Sequence, residues 1–274
     1  MIRPAPGYTP SRAWWKDILK RAIGAPNLFK RLQMSDILRA LDLKPDDVAL
    51  DFGCGRGHMT YEMAWRCRKA YGIDIVNVGD YLIPPELNGR VEFHCTRGEQ
   101  TPFDNSTFDV ILMSEVVATI TDPRHFFAEV SRIIKPSGRI VIVNPLERLG
   151  IKRDYERNSG VVRLMHFLGR APRDYDEYTV WLHRSFGNTL LYLPPEAYYH
   201  NILREVGYRI EQVIFTPSAT AQELIERIQY VALCMGWPTH GLHYFLLYPL
   251  LKIIDTIAAV PRGTGCIMVA YPQA

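Results

Sequence analysis

Short apolar runs alternate with amphipathic stretches along residues 44–145 of this 274-residue chain. A short apolar run bounded by turn residues predicts a buried strand, and apolar residues at helical spacing predict a helix. The predicted strands are Val48–Phe52, Tyr71–Ile75, Val91–His94, Phe108–Met113 and Ile140–Val143, and the predicted helices are Met59–Arg68 and Pro123–Ile134. We expect Lys135–Gly138 to form a turn before the fifth strand. This alternation predicts a parallel sheet with helices on both faces.

The segments on both sides of this region complete the predicted architecture. Residues 11–43 predict two helices with a break near Gly24, Pro195–Val206 predicts another helix, and Tyr208–Phe215 and Thr264–Tyr271 predict two more strands. We therefore expect an α/β fold with a Rossmann-like, doubly wound, seven-stranded, mostly parallel sheet. The expected divisions are an N-terminal helical segment at 1–43, a Rossmann-like core at 44–145 plus 194–216 and 262–274, and inserted lid segments at 146–193 and 217–261 over the substrate site.

Composition indicates the cellular compartment of the protein and the classes of partner to expect. Hydrophobic residues make up 47% and charged residues 22% of the chain, as in an ordinary globular protein, and a formal net charge of +3 is too small to predict a nucleic-acid partner. The five cysteines are scattered without a C-x-x-C pair, which indicates reduced thiols. Charges and Trp14–Trp15 interrupt any apolar run at the N-terminus, so no secretory signal is predicted. We expect a cytoplasmic protein.

A glycine-rich turn follows the first predicted strand and indicates a nucleotide-like ligand. The strand ends in Asp51, and glycines stand at positions 53, 55 and 57. Glycine lets the backbone turn tightly and approach a ligand without a Cβ in the way. Asp74 ends the second strand about twenty residues later, where an acid holds a ribose diol. The turn alone also fits a dinucleotide or a plain strand-to-helix connection.

Two details favour a cationic amino-acid ligand over a dinucleotide. The G-x-G-x-x-G fingerprint counted from Gly53 needs glycine at position 58, where this chain has His58. The carboxylate of Asp51 would repel a pyrophosphate but suits a ligand with a positively charged amino group. A NAD-linked oxidoreductase is therefore the weaker alternative.

Four segments in this order resemble the class I S-adenosylmethionine-dependent methyltransferases, and within them the UbiE-like small-molecule group. VALDFGCGRG is similar to that family's first motif, YGIDI to its acid-tipped second strand and TPFDNSTFDVILMSEVV to the stretch through its fourth strand. FFAEVSRIIKPSGRIVIV is similar to its E-x-x-R-x-L-K-P-G-G-x-L signature. The resemblance covers about residues 28–145 and 192–216, and it implies S-adenosyl-L-methionine as the cofactor.

The resemblance also implies which residues contact the cofactor. The implied contacts are Asp51, Gly53, Cys54 and Gly55 at the methionine end, Asp74 at the ribose hydroxyls, Ile75 against the adenine, Gly98 and Glu99 at the adenine amino edge, and Met113 and Ser114 near the sulfonium. One position departs from the family, which usually has an acid where this chain has Arg97. Because arginine accepts no hydrogen bond, either Glu99 or the backbone would read the adenine amine.

No general base is evident in the core motifs. Relatives often carry a histidine after the fourth strand, where this chain has Thr119. The first insertion offers His183 as a catalytic base, with Tyr178 and Arg184 nearby, because imidazole titrates near neutrality; an exposed histidine without a catalytic role is the alternative. His166 fits a helix face, and the pair His240 and His243 lacks a third ligand, so we expect no metal site.

The second insertion raises the question of membrane contact. Residues 228–251 contain no Asp, Glu, Lys or Arg, but Gly236–Gly241 breaks the run, so a single spanning helix is not expected. One interpretation is a pair of helices buried as a substrate lid, and the other is peripheral contact with a membrane. The N-terminal helix fits the second interpretation, because Trp14, Trp15, Ile18, Leu19 and Ala22 share a face beside Lys16, Lys20 and Arg21. Both interpretations favour a lipophilic acceptor.

The sequence thus predicts methyl transfer to a small, hydrophobic biosynthetic acceptor such as a quinone, polyketide, isoprenoid or lipid. The alternative is an S-adenosylmethionine-binding enzyme of natural-product biosynthesis that catalyses a non-methylating reaction such as cyclisation. Methylation of a nucleic-acid base is disfavoured, because the fourth strand is followed by Ser114–Val117 and not by an (N/D)PP(Y/F) box.

Overall fold

A computed structural model describes residues 3–24, 28–76, 81–146, 149–186, 194–237, 242–257 and 265–273. Its centre is a seven-stranded sheet in the order β3-β2-β1-β4-β5-β7-β6. The strands are β1 Val48–Phe52, β2 Lys69–Asp74, β3 Val91–Cys95, β4 Phe108–Ser114, β5 Ile134–Pro145, β6 Tyr208–Phe215 and β7 Gly265–Pro272. Strands β1 to β5 run parallel, and β7 runs antiparallel to both β5 and β6. The predicted Rossmann-like, mostly parallel sheet is confirmed.

Ten helices surround this sheet in the part of the chain that the structure describes. They are α1 Trp14–Ile23, α2 Leu28–Leu41, α3 His58–Ala64, α4 Pro123–Ile133, α5 Leu149–Glu156, α6 Gly160–Phe167, α7 Tyr175–Phe186, α8 Glu196–Glu205, α9 Ala219–Cys234 and α10 Leu242–Ile257. Asp122 caps α4 by accepting a hydrogen bond from the backbone of His125, and Pro123 occupies the first turn, where no intrahelical N–H partner is needed. No helix among the described residues is long and apolar enough to cross a membrane.

The two faces of the sheet bury separate hydrophobic clusters, because side chains alternate along each strand. On one face, Ile111 and Ile142 pack with apolar side chains of α4 and α8. On the other face, Leu112 and Val141 pack with apolar side chains of α2 and α3. All five residues of β1 are buried, as expected for a central parallel strand. The carboxyl ends of β1, β2, β4 and β5 therefore meet at one edge, where a doubly wound sheet binds its ligand.

One local prediction was wrong. Lys135–Gly138 were expected as a turn before the fifth strand, but they lie within β5. Phe108 of β4 pairs with Ile134, whereas Val110 pairs with Arg139, so the register shifts between these two pairs. The extra residues of β5 form a bulge, which the turn-forming residues accommodate without ending the strand. Helix α3 also ends at Ala64, four residues before the predicted end at Arg68.

The two predicted insertions pack together through a small hydrophobic core of their own. Ile151 of α5, Val162 of α6, Tyr178 of α7 and Tyr230 of α9 are all buried in it. An ion pair of 2.7 Å joins Arg227 of α9 to Asp154 of α5. A second contact cluster joins α9 and α10 to Leu32 of α2. The inserted segments thus form one helical unit, which reaches the sheet through α2.

Candidate functional site

The turn between β1 and α3 holds three glycines in the left-handed backbone region. Their φ angles are +73° at Gly53, +51° at Gly55 and +77° at Gly57. A Cβ on Gly53 would lie 2.4 Å from Cγ2 of Val116, whereas a Cβ on Gly55 would have nothing within 4 Å. Gly53 is therefore required by packing as well as by its φ angle, and Gly55 lies beside open space. Such a cradle, built from backbone, suits a ligand that approaches the main chain closely.

Asp74 clamps this glycine turn from the end of β2. Its Oδ2 accepts a hydrogen bond of 2.9 Å from the backbone N–H of Gly55, and its Oδ1 accepts one of 3.0 Å from that of Val76. The N–H groups of Gly53 and Cys54 donate to the carbonyl of Ile73, also in β2. The structure thus places Asp74 at the glycine turn, and its predicted contact with the ribose hydroxyls stays a prediction. It also gives Asp74 a second task, which is to fix the shape of the turn.

Asp51 lies at the carboxyl end of β1 and is only 2% exposed. The hydroxyl of Thr60 donates a hydrogen bond of 2.6 Å to its Oδ2. Burial raises the pKa of the Asp51 carboxyl to about 6, although the bond from Thr60 opposes the shift. A group with this pKa changes charge close to neutrality, so a positively charged ligand nearby would favour its ionised form.

Tyr81 is a part of the site that the sequence analysis missed. Its hydroxyl donates a hydrogen bond of 2.6 Å to the carbonyl of Gly55, and its ring stacks on Phe93 at a centroid distance of 3.8 Å. The Cys54 thiol lies 3.7 Å from the same hydroxyl, and burial raises the pKa of Cys54 to about 12. Cys54 therefore stays protonated at neutral pH, and it serves the turn through its backbone and packing.

The expected adenine side of the site is more open. Ile75 is 71% exposed immediately after β2, where a flat ring would cover its side chain. A Cβ on Gly98 would lie 2.6 Å from the ring of Phe52, so Gly98 lets this loop lie against the core. Arg97 and Glu99 flank Gly98 and are both exposed. The predicted roles of Ile75, Gly98 and Glu99 at the adenine stay predictions.

A lysine from α2 reaches the end of β4. Nζ of Lys30 donates a hydrogen bond of 2.9 Å to Oγ of Ser114 and forms an ion pair of 2.6 Å with Glu115. Glu115 has a φ of +63°, which is uncommon for a residue with a side chain. The Met113 side chain is fully buried in the core, so only its backbone is near this edge. The proximity of Met113 and Ser114 to a sulfonium remains a prediction.

Asn144 lies at the same edge, at the end of β5. Its backbone neighbour Val143 accepts a hydrogen bond of 2.7 Å from the N–H of Glu115, which places the ends of β4 and β5 side by side. The Asn144 side chain is 0% exposed, and neither its Nδ2 nor its Oδ1 has a hydrogen-bond partner among the described residues. A buried amide in this state costs free energy, so it requires an explanation.

Two of the candidate residues of the first insertion, Tyr178 and His166, have side chains that the structure describes. Tyr178 is 1% exposed and packs in the core of the helical insertions against Tyr230. Nδ1 of His166 lies 3.1 Å from the carbonyl of Val162 one turn earlier in α6, which fits the predicted helix-face residue. His183 belongs to α7, but its side chain lies outside the described residues.

Of the remaining positions that the sequence singled out, two are exposed, two have side chains that lie outside the described residues, and His58 packs beside the glycine turn. Arg184 is exposed at the end of α7. Thr119 is exposed and donates to the carbonyl of Val116, three residues earlier. His240 and the side chain of His243 lie outside the described residues. His58, which replaces the last glycine of a dinucleotide fingerprint, contacts the carbonyl of Gly7 through Nδ1 at 2.9 Å and thereby joins the N-terminal segment to the turn.

Comparisons with known proteins agree with this geometry. Residues 50–142 match the family model described as a methyltransferase domain. A demethylmenaquinone methyltransferase of Bacillus cereus is 25% identical over 160 residues, which is 55% of this chain and 66% of the relative. The match thus spans slightly less than two thirds of the relative's length.

Solved structures of the same fold include enzymes of different activities. The cyclase SpnF superposes with a TM-score of 0.55 at 17% identity, covering 100% of this chain and 89% of its own. Geranyl diphosphate C-methyltransferase from Streptomyces coelicolor superposes with a TM-score of 0.52 at 16% identity, covering 100% of this chain and 93% of its own. At these identities the two superpositions support the fold alone.

The strand order, the glycine turn and the acids at the ends of β1 and β2 define a Rossmann-like protein, a class that binds its ligand at the carboxyl edge of the sheet. With the family match over β1 to β5, the chain contains a class I S-adenosylmethionine-dependent methyltransferase domain. S-adenosyl-L-methionine is the cofactor of that domain, and the demethylmenaquinone methyltransferases are distant relatives.

Proposed function

We propose that this chain transfers a methyl group from S-adenosyl-L-methionine to a small, hydrophobic biosynthetic acceptor such as a quinone, polyketide, isoprenoid or lipid. The observation that carries the proposal is the clamped glycine turn, in which Asp74 holds Gly55 at 2.9 Å beside the buried Asp51. The residues fit the cofactor, because the open space at Gly55 leaves the turn accessible and two acids lie where a cationic amino acid and a ribose would be held.

Two observations support a lipophilic acceptor. The relatives include a protein named for demethylmenaquinone, which carries a long apolar group. The stretch 228–251 of the helical insertions contains no Asp, Glu, Lys or Arg. A lipid-soluble acceptor is also compatible with an enzyme that contacts a membrane peripherally. The proposal therefore includes a cytoplasmic location and peripheral membrane contact. Pockets for such ligands are mostly apolar, with few polar groups to orient the ligand.

The chemistry places limited demands on the protein. When bound, S-adenosyl-L-methionine supplies an electrophilic methyl group, and an acceptor atom forms a bond to the methyl carbon while the carbon–sulfur bond breaks. Asp74 and Asp51 would hold the donor, and the glycine turn would keep it against the sheet edge. The unpaired amide of Asn144 would orient a polar group of the acceptor and so satisfy its own hydrogen bonds. Positioning and exclusion of water are the main contributions expected of the chain.

An acceptor hydroxyl or amine would also need to lose a proton. His183 remains the proposed base, since its helix α7 packs against α5 and α9 in the helical insertions. A carbon acceptor whose own π electrons form the bond to the methyl group would need no such base before methyl transfer. The effect of His183→Gln on the pH dependence of the rate distinguishes these two cases.

The test is turnover with S-adenosyl-L-methionine labelled with deuterium in its methyl group. The purified chain is incubated with a panel of quinones, prenyl diphosphates and polyketides, and mass spectrometry follows both the labelled product and S-adenosylhomocysteine. The proposal predicts equal amounts of the two, and their loss in Asp74→Ala. An acceptor that is converted without release of S-adenosylhomocysteine would instead support the cyclisation alternative.

A further inference from the structure

Helix α1 presents its apolar face to solvent. Trp14 is 75% exposed, Trp15 54%, Ile18 59% and Leu19 44%, and no residue of the helix is buried. These residues share one face, because positions 14, 18 and 15, 19 are each one turn apart. An amphipathic helix in a globular protein normally turns such a face inward, where burial stabilises it.

The polar face of α1 is the one that holds the helix to the protein. Oδ1 of Asp17 accepts hydrogen bonds from the hydroxyl of Tyr8 at 2.7 Å and from the backbone N–H of Ser11 at 2.9 Å. Arg21 forms ion pairs with Asp17 at 2.9 Å and with Glu86 at 2.8 Å. Because Arg21 lies one turn after Asp17, both anchors are on the same side. The orientation of α1 is thus fixed with its apolar face outward.

Positively charged side chains lie on and near α1. Lys16 is exposed, with its Nζ 5.1 Å above the ring of Trp15. Burial lowers the pKa of Lys20, and the neighbouring cations Arg56 and Lys16 lower it further. The acids on the helix side of this region, Asp17 and Glu86, are already paired with Arg21. An anionic surface at this helix would therefore meet Lys16, Lys20 and Arg56, while Asp17 and Glu86 are both held by Arg21.

We propose that α1 is an interfacial helix that docks the chain onto an anionic lipid surface. Tryptophan and basic residues beside an aliphatic face are the residue types that favour the membrane interface. The positive charges favour lipid headgroups over a second copy of this chain, whose own α1 would carry the same charges. Docking does not require the proposed methyl transfer. Because Arg56 lies in the glycine turn, docking that involves Arg56 would bring the proposed cofactor site close to the membrane.

The test is co-sedimentation of the full chain, without cofactor or acceptor, with vesicles of phosphatidylcholine alone and of equal parts phosphatidylcholine and phosphatidylglycerol. We expect binding to the anionic vesicles, weakened by added salt, and little binding to the neutral ones. Ile18→Glu should reduce the affinity for the anionic vesicles about tenfold or more, because it removes apolar burial and adds a negative charge. Lys16→Gln should reduce the binding to anionic vesicles alone.

The matched control is Gln212→Glu at an exposed position of β6. Like Ile18→Glu it adds one negative charge, but it removes no apolar side chain from α1. It should sediment with anionic vesicles as the unmodified chain does. Circular dichroism and the melting temperature establish that each variant is folded, and an unfolded Ile18→Glu is replaced by Ile18→Ser. Equal binding by Ile18→Glu and the unmodified chain would overturn the proposal. So would a self-association that Ile18→Glu abolishes while no vesicle is bound.

Discussion

Because the carboxyl of Asp51 is buried, we predict that the free energy of unfolding depends on pH. Its ordinary pKa is 3.8, and burial raises the pKa to about 6 in the folded chain. Between these two values the folded state binds more protons than the unfolded state, so the free energy of unfolding falls as the pH rises. About two pKa units correspond to about 3 kcal/mol in total, and most of this stability is lost as the pH rises from about 4 to about 6.5.

Asp51→Asn isolates this contribution. Its amide oxygen retains an acceptor for the Thr60 hydroxyl, now 2.6 Å from Asp51, but the side chain no longer titrates. The assay is chemical denaturation of both chains at several pH values, followed by circular dichroism. The free energy of unfolding of the unmodified chain should fall by about 2 kcal/mol relative to the variant as the pH rises from about 4 to about 6.5. Parallel curves for the two chains over this range would refute the account of Asp51.

The same carboxyl predicts a pH dependence of cofactor binding. A positively charged ligand favours ionised Asp51, so binding below about pH 6 should release a proton and weaken as the pH falls. Calorimetry in buffers with different ionisation enthalpies measures this proton release. Asp51→Asn should bind more weakly at neutral pH and should show no such release. Proton release of the same size in the variant would assign the effect to another group.

Four further substitutions test the geometry of the site. Gly53→Ala should lower the free energy of unfolding by about 2 kcal/mol or more, because its Cβ would lie 2.4 Å from Val116 at a φ of +73°. Gly55→Ala lies beside open space and should lower the free energy of unfolding by less, and denaturant midpoints measure the difference. Tyr81→Phe removes the bond of 2.6 Å to the carbonyl of Gly55 and should weaken cofactor binding about tenfold; an unchanged affinity in calorimetry would argue against a role for Tyr81 in shaping the turn. Asn144→Leu should leave stability equal or higher by about 1 kcal/mol while it lowers turnover, since it replaces an unpaired buried amide; a clear loss of stability would contradict that interpretation.

The parts of the fold that sequence could predict are those set by local pattern. The strands β1 to β4 and β6 appear as short apolar runs, and the predicted bounds of β6 agree with the structure. The glycine turn and Asp74 were also evident, because a strand end, glycines and a later acid are recognisable along the chain. The bulge at Lys135–Gly138 was not, since it depends on how β5 pairs with β4 and not on the turn residues themselves.

The parts that sequence could not predict depend on contacts between distant segments. Lys30 reaches Ser114 across 84 positions, and no local spacing indicates that α2 lies over the end of β4. Neither Tyr81 nor Asn144 belongs to a recognisable sequence motif. Only packing shows that Tyr81 holds the glycine turn and that the Asn144 amide is buried with no hydrogen-bond partner among the residues that the structure describes. The amphipathic pattern of α1 was evident, but its outward orientation follows from the anchors that Asp17 and Arg21 make.

The most direct test of the cofactor site is calorimetric titration of the full chain with S-adenosyl-L-methionine, beside the Asp74→Ala variant and a parallel titration with NAD. The account predicts one S-adenosyl-L-methionine bound per chain and no heat with NAD. In Asp74→Ala the affinity should fall about a hundredfold or more, because the variant loses the clamp on Gly55 together with the ribose partner. An unchanged affinity in the folded variant, or saturable binding of NAD in place of S-adenosyl-L-methionine, would contradict it.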